Sequence, residues 1–221
     1  MSIILPFLSV IFGFLIASFL KKETHFTQHL LSFSGALLLA ILVFEFLPHV
    51  YHDYEQIIGI LIMSGVLLQV LLEFMSKGAE HGHSHIDKNL KKFPFLLFVG
   101  LCIHSFMEGF PIANNPHLMI GVVLHKLPVA IVISTFLLSS NLSKSKIYTF
   151  ILLFAVMTPL GSILNQYVVS SPQTEVYINA VVVGILLHVS TTILFESSKD
   201  HQFNWSKIIS ILLGIGLAYF M

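Results

Sequence analysis

Charged side chains are scarce in this sequence of 221 residues. Asp, Glu, Lys and Arg together make up 10% of it, whereas hydrophobic residues make up 56%. A water-soluble domain carries about 25% charged residues, so this composition excludes an ordinary soluble domain. Arginine is absent, and the 11 basic residues are balanced by 11 acidic ones, which leaves no basic excess for binding nucleic acid. We therefore expect an integral membrane protein whose surroundings are the lipid bilayer.

Cysteine is almost absent as well. The single residue, Cys102, excludes a disulfide framework and a metal cluster held by thiolates. It lies two residues before His104, about 200° around a helix, so its thiol points away from that imidazole and argues against a copper(I) pathway. The chain has 12 histidines instead. In so apolar a sequence, this number indicates a histidine-dependent function.

Long apolar windows predict the fold. A membrane-spanning helix needs about 20 mostly apolar residues. Eight such windows occur, at residues 3–20, 30–50, 57–75, 94–113, 117–139, 146–169, 176–196 and 205–221. We predict an all-α, polytopic membrane protein of eight transmembrane helices, with residues 1–221 forming a single transmembrane domain. The longest polar break, residues 76–93, is predicted to be a cytoplasmic loop.

The lysines predict the orientation. Ten of them lie in the breaks after the first, third, fifth and seventh windows, and the alternate breaks hold none. Because basic loops stay in the cytoplasm, both termini are expected on the extracellular or periplasmic side. We expect a multi-pass protein of the plasma membrane, which in a bacterium is the inner membrane.

Two neighbouring windows contain a candidate metal site. His104 and Glu108 are spaced i, i+4 and therefore share one helix face. His125 in the next window lies at a matching depth, about 14 Å from the same surface. Together these side chains can bind a divalent cation, although a single buried histidine is more often a hydrogen-bonded packing residue. Pro111 and Pro128 either free backbone carbonyls toward a cavity or simply kink the helices.

The motifs around these residues resemble a known family. HSFMEG at residues 104–109 and HKLP at residues 125–128 resemble the paired motifs of the ZIP family of divalent-metal transporters, H-N/S-x-x-D/E-G and H/Q-D/E-x-P-E/H. FEFLPH at residues 44–49 and GILLHVSTTILFES at residues 184–197 resemble the family's motifs in helices two and seven. The resemblance covers the whole chain and implies a transporter rather than an enzyme.

The resemblance also implies roles for individual residues. The ligands of the transported metal would be His104, Glu108 and His125, with Ser105 as a weak oxygen ligand. Glu45 occupies the position of the histidine in the helix-two motif, so it would be a fourth ligand or an entry ligand. His49 lies one turn further out on the same helix.

Departures from the family pattern affect the second metal site that many members have. Residues that replace its ligands are Lys126, Val129 and Thr158. We therefore infer a single-metal pathway. Our hypothesis is that the Lys126 ammonium pairs with Glu108 and supplies the charge of the missing ion. The alternative is that Lys126 points elsewhere, toward Glu45 or Glu196.

The remaining histidines are less informative. The cytoplasmic break contains HGHSH, in which His81, His83 and His85 can capture or sense a metal, or can belong to a plain polar linker. The roles of His117 and His188 stay open. Residues in breaks that support no conclusion alone are His25, His29, His52 and His201.

These observations predict a transporter that moves a divalent transition metal, Zn²⁺ in the first instance, into the cytoplasm through one His/Glu site near the midplane. Fe²⁺, Mn²⁺ and Cd²⁺ suit the same ligands. The metal would be cargo, and no catalytic cofactor is expected. One alternative is a membrane metal sensor or another non-transporting relative, and another is an intramembrane zinc hydrolase. The family resemblance further implies a homodimer.

Overall fold

The structure, a computed structural model, describes residues 2–20, 24–52, 56–76, 93–169, 171–196 and 205–221. Within these ranges the regular structure is entirely helical, which confirms the all-α prediction. The helices are α1 (Ile4–Leu20), α2 (His25–Val50), α3 (Gln56–Ser76), α4 (Phe95–Glu108), α5 (Pro116–Ser139), α6 (Lys144–Val168), α7 (Pro172–Glu196) and α8 (Trp205–Tyr219). A 3₁₀ turn, Pro111–Ala113, connects α4 to α5.

Six of these helices are long and apolar enough to cross a membrane, namely α2 to α7, with α4 extended by its 3₁₀ turn to Ala113. The terminal helices α1 and α8 are apolar but shorter, with 17 and 15 residues. A polytopic membrane protein is therefore confirmed. The count of eight crossings and the side on which the termini lie stay predictions.

Helix α2 contains an irregular turn. It begins at His25 because the Thr24 hydroxyl caps it by accepting the backbone N–H of Thr27, and this adds five residues to the predicted window. Residues Leu42–Phe46 then form a π turn, in which the N–H of Leu47 donates to the carbonyl of Leu42. Pro48 follows directly. Because proline has no N–H and its ring crowds the carbonyl four residues earlier, the regular ladder cannot continue through this position.

Glycines allow the site-bearing helices to approach closely. A Cβ atom on Gly65 of α3 would lie 2.0 Å from the carbonyl oxygen of Val181 in α7, and one on Gly184 would lie 2.0 Å from that of Ile62. Gly109, just after α4, meets α6 in the same way, with the carbonyl oxygen of Thr158 at 2.3 Å. Any larger residue would push these helix pairs apart. The backbone contacts therefore fix α3 against α7 and α4 against α6.

The buried apolar side chains form two clusters stacked along the helices. One includes Leu101 of α4 and Val129 of α5, and the other includes Ile112 and Val122. Along both α4 and α5, the buried residues between these pairs belong to neither cluster. A buried polar layer therefore lies between the two apolar clusters, and it contains the candidate metal ligands.

Candidate metal centre

Three potential ligands meet in this polar layer. His104 and Glu108 lie one turn apart on α4, and His125 lies on the antiparallel helix α5. One ligand atom from each residue lies within 4.8 Å of the others. The three residues are 4%, 0% and 2% exposed. Among the described residues, this is the group of His, Cys, Asp and Glu side chains with the geometry to hold an ion.

Hydrogen bonds orient the first histidine. The Nε2 of His104 lies 2.8 Å from Oε1 of Glu108, and its Nδ1 lies 3.2 Å from Oε1 of Gln69 on α3. When Nδ1 donates to the Gln69 amide oxygen, Nε2 is the atom left to bind a cation beside Glu108. Such an outer hydrogen bond is the usual way in which a protein fixes the tautomer and direction of a ligating imidazole.

The second histidine has an unsatisfied nitrogen. The Nδ1 of His125 is buried and has no hydrogen-bond partner within the described part of the chain. Leaving a polar atom unpaired in a buried place costs free energy, about 1–3 kcal/mol in proteins. A cation bound by the cluster would remove that cost. This orphaned nitrogen therefore fits a metal-binding role for His125.

Lys126 contacts the same carboxylate from its other side. Its Nζ lies 2.8 Å from Oε2 of Glu108 and donates to Oγ of Ser105 at 2.9 Å. It also lies 5.2 Å from the centroid of the Phe154 ring, within reach of a cation–π interaction. The lysine is 2% exposed. Glu108 thus presents one oxygen to His104 and the other to a fixed positive charge.

Ser105 is oriented by its neighbours rather than by the three ligands. Its hydroxyl accepts the hydrogen bond from Lys126, and its backbone carbonyl accepts one from the hydroxyl of Thr158 at 2.9 Å. Thr158 therefore ties α6 to α4 at the level of the cluster. The structure therefore places the Ser105 hydroxyl beside the ammonium.

Glu45 and His49 lie apart from this cluster. Both are exposed near the end of α2. The carboxylate oxygens of Glu45 lie 2.7 and 2.9 Å from Nδ1 of His117, at the start of α5. A cavity of about 220 Å³ opens beside this pair, and its lining includes Asn115 and the buried side chains of Ile41 and Leu118. Glu45 is therefore placed at a mouth of the bundle and not among the three buried ligands.

A further imidazole–carboxylate pair joins α3 to α7. The Nε2 of His188 lies 2.5 Å from Oε2 of Glu73, and the two side chains are 22% and 20% exposed. The sequence did not single out Gln69, the Glu45–His117 contact or this pair. A signal existed for α3, because Gln69 and Glu73 are two large polar residues at i, i+4 spacing in a largely apolar window. The three loop residues His81, His83 and His85 lie outside the described residues.

The donor set is chemically suited to a divalent transition metal. Two imidazole nitrogens and one carboxylate oxygen are common zinc ligands, with bonds of about 2.0–2.2 Å. Tetrahedral coordination at those lengths separates ligand atoms by about 3.4 Å, so side-chain rotations of about 1 Å would close the observed cluster around an ion. The nearby ammonium lowers the local negative charge of the cluster.

Comparisons with known proteins agree with this chemistry. The sequence model of the family described as "ZIP Zinc transporter" matches residues 75–221. Protein zntD of Dictyostelium discoideum is 30% identical over 165 residues, which cover 64% of this chain and 24% of that protein. Zinc transporter ZIP1 of Plasmodium falciparum is 31% identical over 133 residues, covering 54% and 37%. Zinc transporter ZIP1 of Danio rerio is 26% identical over 155 residues, covering 64% and 51%.

The chain spans from about a quarter to about half of the length of these curated relatives. The family match nevertheless covers well over half of the chain itself and includes α4 to α8, which carry all three potential ligands. The family is one of transporters and not of enzymes. The protein belongs to the ZIP zinc transporter family.

Proposed function

We propose that this protein transports Zn²⁺ across the membrane through a single site formed by His104, Glu108 and His125. The observation that carries the proposal is the convergence of three ligand atoms within 4.8 Å inside a bundle of membrane-spanning helices. A doubly charged ion loses its hydration at this depth, and the two imidazoles and the carboxylate replace the lost water. Fe²⁺, Mn²⁺ and Cd²⁺ are the competing ions that the same ligands favour.

Entry takes place at the mouth of the bundle where Glu45 and His117 meet. Their contact lies beside the cavity and is open to water, so a hydrated cation can exchange there. His49 is also exposed on the last turn of α2. Ile41 and Leu118 in the lining of the cavity are buried, and so are the three ligands. The ion therefore reaches the buried cluster only after the helices rearrange, as alternating access requires.

Lys126 replaces a second ion in this pathway. Its ammonium neutralises one side of Glu108, so the cluster has less negative charge than an isolated His–Glu–His site. A moderate charge serves transport, because an ion that is bound too tightly leaves too slowly. The lysine-rich loops predict that the mouth at Glu45 faces away from the cytoplasm. The proposed movement is from this mouth into the cytoplasm, across the plasma membrane. His81, His83 and His85 in the cytoplasmic loop would then receive the ion.

Zinc uptake into proteoliposomes tests this function. The wild type should show saturable uptake of Zn²⁺. The uptake rate of the double variant His104→Ala/His125→Ala should be at least 100-fold lower. The matched control is His29→Ala, which removes an imidazole from α2 at a distance from all three ligands and should transport normally. Addition of Fe²⁺, Mn²⁺ or Cd²⁺ at equal concentration ranks the cargo ions by competition.

The Lys126–Glu108 contact also favours a second candidate, a membrane metal sensor that does not transport. The ion pair ties α4 to α5, and a site held in this way can bind an ion without the helix rearrangement that transport requires. This candidate is supported if purified protein binds Zn²⁺ but proteoliposomes show no flux above that of the double variant. Saturable wild-type flux excludes it.

A further inference from the structure

The pair Glu73–His188 lies in an unusual place for an ion pair. Glu73 belongs to α3 and His188 to α7, both long enough to span the membrane, yet each side chain keeps about a fifth of its surface exposed. Ionisable groups at such positions are costly and usually mark an ion pathway. The pair is not needed to bring the two helices together, because Gly65 and Gly184 already place the backbones in contact.

A polar connection leads from this pair to the buried cluster. Gln69 lies one turn before Glu73 on α3, so the two side chains share a helix face about 6 Å apart along the axis. Gln69 is fully buried, and its Oε1 lies 3.2 Å from Nδ1 of His104. A largely apolar helix thus presents two polar groups one turn apart, the first at the buried cluster and the second at His188.

The pair lies on the far side of the cluster from the mouth formed by Glu45 and His117. The start of α7 is at the same end as that mouth, because Nδ2 of Asn114, just before α5, donates to Oε1 of Glu175 at 2.7 Å. His188 lies 16 residues further along α7, about 24 Å from the helix start. Glu73 is likewise near the opposite end of α3.

We propose that Glu73 and His188 form a second, weaker binding site for a divalent transition metal, which holds the ion transiently after it leaves the buried cluster past Gln69. One imidazole nitrogen and one carboxylate are zinc ligands, and the partial exposure lets water complete the coordination. Two protein ligands hold an ion less tightly than three, so the ion moves on easily. This inference rests on the transport function proposed above and adds a site that the three-ligand cluster does not include.

The alternative is a purely structural role, in which the pair only stabilises the contact between α3 and α7. The double variant Glu73→Leu/His188→Leu separates the two readings, because replacing an ion pair inside a protein with apolar residues of similar size is often neutral or stabilising. This variant removes both metal ligands and keeps the packing. The variant Glu73→Gln/His188→Gln keeps a hydrogen bond between the helices and serves if the leucine pair fails to fold.

Zinc binding tests the site directly. The full chain carrying His104→Ala/His125→Ala and His81→Ala/His83→Ala/His85→Ala is dialysed against Zn²⁺ at a series of free concentrations. Adding Glu73→Leu/His188→Leu should remove about one bound Zn²⁺ per chain at high free concentration, whereas adding His29→Leu should remove none. Equal zinc binding with and without the leucine pair would overturn the proposed site.

Transport by the leucine pair in the otherwise wild-type chain gives the second readout. We expect turnover to fall about tenfold, with zinc affinity of the buried cluster within twofold of wild type and no loss of thermal stability. Wild-type turnover in this variant would overturn the inference while leaving the transport function intact. Absence of flux in the wild type would instead refute the transport function and, with it, the transient role of Glu73 and His188. The dialysis experiment would still decide whether zinc binds to this pair.

Discussion

Two imidazole–carboxylate pairs of nearly the same geometry lie in opposite surroundings. His104 and Glu108 are 2.8 Å apart and buried between the two apolar clusters, whereas His117 and Glu45 are 2.7 Å apart with side chains 41% and 45% exposed. The contact distance is therefore no guide to what each pair does. Exposure decides it, because a buried charge must be matched by fixed partners, whereas an exposed one is matched by water and salt.

The buried and the exposed pair also differ in the groups that contact them. The buried carboxylate of Glu108 has an imidazole on one oxygen and the Lys126 ammonium on the other, and His104 is held in turn by Gln69. The exposed pair lies beside a cavity of about 220 Å³, where α2 ends and α5 begins. In the proposed transport pathway, the buried cluster would strip and hold an ion, and the exposed pair would exchange one quickly.

The largest effect on zinc affinity and on stability should come from removing the buried carboxylate. In Glu108→Gln, the metal loses its anionic ligand and Lys126 loses its counter-ion. We expect zinc affinity to fall at least 100-fold and the free energy of unfolding to fall by about 3 kcal/mol, as is typical when one member of a buried ion pair is removed. Calorimetric zinc titration and thermal unfolding in detergent measure the two effects.

The double variant Glu108→Gln/Lys126→Met is the matched control for that loss. Removing the unpaired ammonium should restore most of the stability but none of the zinc affinity. If Glu108→Gln alone were as stable as the wild type, the buried pair would not depend on charge pairing as the comparison requires.

A smaller effect is expected from removing only the ammonium. Lys126→Met keeps the length of the side chain but removes the positive charge from the Oε2 atom of Glu108. Because the ammonium repels a cation bound to the same carboxylate, zinc should bind about tenfold more tightly and leave more slowly, so that turnover falls. Zinc titration and proteoliposome uptake measure the two quantities. Unchanged affinity and unchanged transport would contradict the role assigned to Lys126.

The smallest effect should come from the exposed pair. In Glu45→Gln/His117→Ala, the stability should change by about 1 kcal/mol or less, as is usual for surface pairs. The KM for zinc uptake should rise several-fold while the turnover at saturating zinc stays the same, because only capture at the mouth is weakened. Initial uptake rates over a range of zinc concentrations measure both. A large fall in saturated turnover would show that this pair belongs to the transport site itself.

The sequence alone predicted the helices and the three potential ligands, because each depends on residues close together in the chain. Apolar windows of about 20 residues predicted the helices to within a few residues, since burial in lipid requires such runs. The spacing of His104 and Glu108, and the matched depth of His125, predicted three side chains that the structure brings within 4.8 Å. Both arguments need only the rise of a helix and a short connection between neighbours.

Contacts that depend on how helices are rotated against each other could not be predicted in this way. Gln69 reaches His104 from α3, and Glu73 reaches His188 across the interface with α7. These pairs are set by close backbone contacts such as that of Gly65 with Val181, and nothing in the spacing of one helix specifies its partner. Glu45 was expected as a fourth or entry ligand, and its placement beside His117 depends on the irregular turn in α2.

That π turn makes the mouth of the pathway sensitive to chain length. A π turn is equivalent to one extra residue inserted into an α-helix, so it turns everything after it by about 100° relative to a regular helix. Glu45 lies within the turn, and the segment Leu47–Val50 follows it. Loss of a single residue between Leu42 and Phe46 would therefore redirect the carboxylate away from His117 without changing the hydrophobicity of the helix. Among related sequences, one-residue gaps in this segment would mark chains whose entrance is built differently.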